Sequence, residues 1–422
     1  MFSAWRRILR GPGALALRPD YNQPVPVGTP FHDRTLALCE SLSYRDWAGY
    51  YAPSSYEPLH EHEYNAIRNG AALLDISPLF KYLIAGRDAA RLVNRVITRD
   101  ASKLTPGQVV YTPWCDEDGR VIDDGTVSRL AEDRFRWTAA DPNLRWISRQ
   151  AAGLDVRVED ISEKTAALAL QGPMSASVLR AVARVDLDGL KYFRVMSGTL
   201  AGRPVDISRT GYTGDLGYEI WMDRADAGAV WDALIAAGPP FGLRPTGLLA
   251  LDVARVEAGL LLIDVDFFSV RKALTASQLY TPFEMSLDRL VDFEKGPFIG
   301  RAALAAERAR GPRRRIVGLA IHWPDVEKLY EAVGLPPLAL ATTSRVAVPV
   351  YADNRQVGRM TSSTWSPVLK QMIGLATVEA SAARPGTDVS VEHTVDAVRH
   401  RVRARVTPTP FFNPKRKTQT PP

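Results

Sequence analysis

The 422-residue chain is poor in cysteine and histidine, with two and six respectively. Cys39 and Cys115 lie far apart and form no CxxC pair, which argues against a disulfide framework and a cysteine-ligated zinc site. A reducing compartment suits such a chain, so the expected location is cytoplasmic. No apolar run reaches the roughly 20 residues that cross a bilayer. The nearest, LLALDVARVEAGLLLI at 248–263, is broken by Asp252, Arg255 and Glu257. There is no GxGxxG between a strand and a helix, no Walker lysine and no GxSxG elbow, which excludes the common nucleotide and hydrolase readings. A basic stripe with interleaved aromatics is also missing, so neither nucleic acid nor membrane is an expected partner. HEHE at 60–63 places its histidines two apart, on different sides of a helix, whereas zinc-binding helices space them by four. It reads as the start of a surface helix, and no metal is expected.

What is present is ordinary globular composition, 46% apolar and 24% charged. The length predicts two or three domains. The net charge of +6 is a modest field that would draw in an anionic small molecule. MFSAWRRILRGPGALALRP carries four arginines and no acid before Asp20. It resembles a mitochondrial transit peptide, and it also reads as a frayed bacterial start broken by Gly11, Pro12 and Gly13. The mitochondrial matrix is therefore the alternative location, and residues 1–28 are expected to be a loose arm.

Periodicity divides the rest. DAARLVNRVIT at 88–98 has helical spacing. VVYTPWCDEDGRVIDDGTVSRL at 109–130 reads as a hairpin turning at Asp116–Gly119. TAALALQGP at 165–173 is a buried strand stopped by Gly-Pro. Residues 193–222 read as two hairpins in series, and Leu248–Gly259 as a helix. Charge clusters in ERARGPRRR, and strand patterns then return. The expected order is a region over 29–303, a linker at 304–314, a mainly β domain over 315–412, and a disordered tail at 413–422 containing PKRK. A helix and loop are expected as an insert at 323–344.

Two stretches bear on chemistry. In VIDDG (121–125), strand alternation sends Asp123 and Asp124 to opposite faces. One can meet solvent while the other enters a cavity, where burial raises a carboxyl pKa and suits it to proton transfer. The plainer reading is an acid beside a turn. In SRTGYTGDLGYEIW (208–221), glycines permit positive φ and close approach of a ligand to the main chain. The strand that follows puts Glu219 and Trp221 on one face, Tyr218 and Ile220 on the other. Glu219 could accept hydrogen bonds from an amino-pyrimidine edge, and Tyr212 could pack on a flat ring. The plainer reading is a glycine-rich hairpin with a solvent-facing acid.

SRTGYTGDLGYEIW resembles the RTGYTGEDGFE motif of the aminomethyltransferase (glycine cleavage T-protein) family. Five further segments resemble that family in the same order: 71–89, 109–127, ALALQGP at 167–173, RPTGLLALDVARVEAGLLL at 244–262, and 358–379. The resemblance spans roughly 29–412. It implies an α+β, three-lobed, cloverleaf-like folate-binding fold with a C-terminal β-barrel, and tetrahydrofolate as cofactor. It implies one-carbon transfer to the folate from an aminomethyl-lipoyl carrier protein. Relatives instead demethylate small O-, S- or N-methylated donors. By position, Asp124 matches the acid beside the reactive folate nitrogens, and Tyr111 a folate-contacting tyrosine. Tyr212 and Glu219 match the loop tyrosine and the acid at the pterin's amino edge; Arg255 and Glu257 match residues expected to be structural.

The chain departs from the family pattern at Leu251, where an arginine is usual, at Ile263 for a tyrosine, at Thr138 for an asparagine, and in PFFN for PFYR. These changes point to a different, less anionic donor. A non-catalytic folate-binding relative carries a KGCYTGQE-like motif, whereas here Thr210 precedes Gly211-Tyr212 with no cysteine nearby.

Overall fold

The computed structural model describes residues 25–421. The expected loose arm therefore lies, over residues 1–24, outside the described residues. Residues 25–28 join the fold: Val27 pairs with the Tyr50 strand, its N–H bonding Gly49 O at 2.9 Å.

Three large sheet bodies and a two-stranded hairpin, Ser43–Trp47 with Tyr50–Ser55, make up the described residues. The first is a five-stranded antiparallel sheet in the order Val109–Cys115, Val121–Ala131, Arg134–Ala139, Phe80–Ala85, Arg157–Asp160. Its first two strands are the expected hairpin, with Asp124 opposite Pro113. The amphipathic helix Ala89–Val96 covers one face, burying Leu92, Val93 and Val96 against Trp114, Phe135 and Trp137.

The second body is a seven-stranded sheet with Thr165–Gln171 between Gly217–Asp223 and Ala71–Asp75. One face of Gly217–Asp223 sends Tyr218, Ile220 and Met222 into a core with the helices Ser175–Val182 and Ala227–Ala237. The other sends Trp221 towards the helices Glu61–Asn69 and Leu248–Glu257. Burial of each large apolar side chain contributes roughly 1.5–3 kcal/mol, so the alternation fixes which face carries Glu219.

The third body is a closed six-stranded barrel that runs from Arg314–Ile321 to Val398–Thr407. The insert is a helix, Trp323–Glu331, followed by an irregular stretch to 347.

Two boundary expectations are corrected. Most of 304–314 is not a connecting segment but the end of a helix, Arg301–Arg310. Leu304 is fully buried, and Glu307 accepts a hydrogen bond from Thr281 at 2.9 Å. Of the run of charge, Arg308 and Arg310 lie on that helix's exposed face, Arg314 and Arg315 open the barrel strand, and only 311–313 connect the two. The tail beyond 413 is not splayed into solvent either. Arg416 bonds both oxygens of buried Asp215, at 2.6 and 2.7 Å, and Lys415–Lys417 form a helical turn.

Buried charges tie the bodies together. Glu257 accepts from Tyr64 (2.6 Å), from Arg68 (2.6 and 2.9 Å) and from Ser366 on the barrel (2.5 Å). Arg255 pairs with Asp252 at 2.8 Å and with Asp266, and it donates to barrel residue Ser362 at 2.7 Å. Both residues thus knit the helix Leu248–Glu257 to its neighbours. His60 precedes the helix Glu61–Asn69, and His62 pairs with Glu57 at 2.6 Å. Glu63 is fully buried and accepts backbone N–H bonds from Tyr56, Glu57 and Gly247. The cysteines are both buried and unbridged.

Candidate active site

Where the three bodies meet there is a cavity of about 1510 Å³. Tyr111, Asp124, Tyr212 and Glu219 all line it. The first two come from the five-stranded sheet; Tyr212 and Glu219 come from the loop and strand of the seven-stranded sheet.

Asp124 sits on the hairpin strand with its Oδ2 accepting the Tyr111 hydroxyl at 2.5 Å. Burial raises its carboxyl pKa to about 6, against the opposing pull of the Tyr111 hydrogen bond. Burial, with the neighbouring carboxylate, holds the Tyr111 hydroxyl well above its ordinary range, so it stays a donor. Asp123 takes the opposite face, as alternation requires, but it does not meet solvent. It is fully buried and accepts from the Asn143 amide (2.9 Å) and the backbone N–H of Asp141 (3.0 Å) and Asp124 (2.8 Å). Burial and the Asp124 charge push its pKa well up.

Glu219 accepts the Thr210 hydroxyl at 2.7 Å. Burial raises its pKa, while Thr210 and the nearby Arg136 pull the other way. Arg136 is itself buried, bonds Asp206 at 2.8 Å and lies over the Trp221 ring at 4.6 Å. The Tyr212 hydroxyl donates to the Leu261 carbonyl, which holds its ring against the cavity wall.

The glycines of the loop serve packing more than ligand approach. A Cβ on Gly211 or Gly217 would meet the Gln171 side chain at 2.0 and 2.2 Å. Only Gly214 of the three needs a left-handed backbone, at φ +72°. Gln171 occupies the space so kept, donating to the carbonyls of Thr210 (3.3 Å) and Tyr218 (3.2 Å) and accepting from Thr213 at 2.9 Å. It also lines the cavity. Sequence reading passed over it, although it stands in the quoted ALALQGP just before the breaker. Thr138 shares a hydroxyl pair with Thr126 at 2.6 Å on the cavity wall, and Leu251 and Ile263 line the same space.

The arrangement offers two half-buried carboxyl groups from different sheets, two flanking aromatic rings and an apolar wall. It can hold a flat, hydrogen-bonding ring and move a proton beside it. Among the described residues, no group of three or more histidine, cysteine, aspartate or glutamate side chains is arranged to hold a metal ion.

Comparison with known proteins agrees with this architecture. The GCVT N-terminal domain matches residues 33–295, and the glycine cleavage T-protein C-terminal barrel domain matches 333–413. The chain is 37% identical over 377 residues to the aminomethyltransferase of Moorella thermoacetica, covering 88% of this chain and 94% of that one. It is 36% identical over 368 residues to the aminomethyltransferase of Streptomyces avermitilis, covering 85% and 92%. The solved glycine cleavage system aminomethyltransferase T from Bartonella henselae superposes with a TM-score of 0.76 at 24% identity, covering 92% of this chain and 98% of that one, and so shares the fold. A three-bodied α+β fold closed by a barrel, matched by both domains and by full-length relatives, makes this chain a member of the aminomethyltransferase (glycine cleavage T-protein) family.

Proposed function

We propose that the chain is a tetrahydrofolate-dependent one-carbon transferase of the aminomethyltransferase type. The observation that carries this reading is the convergence of Asp124 and Glu219, from separate sheets, on one cavity. A pterin's amino-pyrimidine edge presents adjacent N–H donors, and the oxygens of the Glu219 carboxyl are acceptors suited to them. Bound tetrahydrofolate would supply the amine nitrogens that take the one-carbon unit. Tyr212 would flank the ring. Tyr111 fixes one oxygen of Asp124, and a carboxyl with a pKa near 6 exists in both protonation states near neutrality, so it can hold or pass a proton. Holding the donor carbon in line with the acceptor would supply the larger share of the acceleration, up to ~7–11 kcal/mol in well-oriented systems.

A second reading, a tetrahydrofolate-dependent demethylase of a small O-, S- or N-methylated donor, is favoured by the apolar Leu251 and Ile263 on the cavity wall. It would take a free small molecule where the first takes an aminomethyl group from a lipoyl carrier protein. Calorimetric titration with tetrahydrofolate tests the common element. A donor screen that follows methylene- or methyltetrahydrofolate then separates the two. Absence of any heat from tetrahydrofolate with folded protein rules out both.

A further inference from the structure

The cavity is larger than the roughly 300–1,000 Å³ that one small ligand fills. One stretch of its wall carries charge that the protein does not neutralise. Arg45, on the strand Ser43–Trp47, and Arg345, from the irregular stretch before the barrel strand Val348–Ala352, both line it beside Leu251. The nearby Asp252 is already shared by two arginines: Arg255 Nε takes one oxygen at 2.8 Å, and Arg345 Nε takes the other at 2.7 Å. Arg255 also holds Asp266. Three guanidinium groups therefore face two carboxylates, and the surplus charge falls on Arg45.

Arg45 is half-buried, and its single hydrogen bond among the described residues is a long one, Nε to Ser54 Oγ at 3.4 Å. The nearest acid in sequence, Asp46, turns Oδ1 back to the Gly49 N–H at 2.8 Å. Burial and the charge of Arg345 both work against the Arg45 cation, with Asp252 opposing them. The Nη ends of Arg45 and Arg345 have no partner among the described residues, and the surrounding wall, Trp47, Leu248 and Leu251, has no charge to offer. The Arg345 side chain is 38% exposed and Arg45 is half-buried, so their free ends are open to the cavity, where an anion can take the place of water. The planar fork of guanidinium suits a carboxylate.

We propose that Arg45 and Arg345 form a carboxylate-binding subsite on the wall of the central cavity. The carboxylate is either the glutamate end of the folate or a carboxylate on the one-carbon donor. The subsite deepens the folate reading, but the two stand or fall separately in the experiment below.

Calorimetry on the full chain compares tetrahydrofolate with tetrahydropteroate, which lacks the glutamate. It also compares N,N-dimethylglycine with its methyl ester. Both pairs are run on wild type, Arg45→Gln, Arg345→Gln and Arg345→Lys, each checked for an unchanged melting profile. If the folate supplies the carboxylate, wild type prefers tetrahydrofolate by about 10- to 100-fold, and either Gln variant closes the gap. If the donor supplies it, the two pterins bind alike, the free acid binds and its ester does not, and Arg45→Gln abolishes that difference. Arg345→Lys, which keeps the charge but not the fork, retains part of the preference. If both Gln variants leave every acid-over-ester and glutamate-over-pteroate preference intact, the subsite does not exist. If neither pterin binds wild type, the folate reading fails, and the acid–ester pair still reports on Arg45 and Arg345.

Discussion

Asp124 is a carboxyl that the fold keeps reluctant to ionise. Its raised pKa has a stability consequence with a definite sign. The protonated form is the one the buried site favours, so its stabilising contribution is complete below about pH 4 and is lost as pH rises through about 6. Asp124→Asn should therefore be more stable than wild type at pH 8, by up to about 3 kcal/mol, with the difference vanishing near pH 4. Urea unfolding at the two pH values checks this. The same substitution should cut turnover by about 10²–10⁴-fold and leave folate binding measurable, and wild-type turnover should rise through pH 6. Unchanged turnover in the variant would remove Asp124 from the chemistry. Glu219→Gln should weaken tetrahydrofolate binding by about 10- to 100-fold, because one carboxyl oxygen is replaced by an amide nitrogen that presents donors to the pterin's own N–H groups. These two acids were legible in the sequence because strand alternation is local: VIDDG and YEIW each state which side chains share a face. The partners that tune them were not. Asn143 meets Asp123 across 20 positions, and Gln171 is held by loop residues about 40 positions on.

At the scale of elements, the glycine-rich loop is shaped by what it wraps. Gly211→Ala would drive a methyl group into the Gln171 amide, which must then swing away and give up its bonds to Thr210, Thr213 and Tyr218. The expected loss is about 1–3 kcal/mol of stability, read as a lower melting temperature, together with weaker pterin binding. Sequence reading assigned these glycines to a ligand's approach, since glycine signals that something comes close without saying what. Helix boundaries show the same limit. ERARGPRRR looks like a hydrophilic break until Leu304 and Glu307 are seen on the inner face of a helix. The run spans the helix's last turn, the short connection and the start of the barrel strand, so its charge masks where each of them begins and ends.

For the whole molecule, the helix Leu248–Glu257 is the hub, since Arg255 and Glu257 reach both the helix Glu61–Asn69 and the barrel through buried ion pairs and hydroxyls. Removing one partner strands a buried charge. Arg68→Met should thus cost about 3–5 kcal/mol, seen as earlier thermal unfolding. Many of the strands and the mainly β character of the C-terminal region were readable from period-two patterns and turn residues. The barrel was implied by the family resemblance, and the order of strands within the sheets depends on contacts too distant in sequence to read. The docking of the basic tail was not readable either, because Arg416 finds Asp215 across 201 positions and nothing in PKRK itself anticipates an acid waiting inside. That wrap also bears on synthesis. The walls of the cavity are drawn from residue 45 to residue 417. A nascent chain that has emerged only as far as the second sheet owns both acids and Tyr212 but lacks the barrel side and Lys417, which also lines the cavity. On the ribosome the first two bodies must therefore wait half-enclosed, with apolar surface that the barrel will later cover, and the cavity wall is complete only when almost the last codon described has been read.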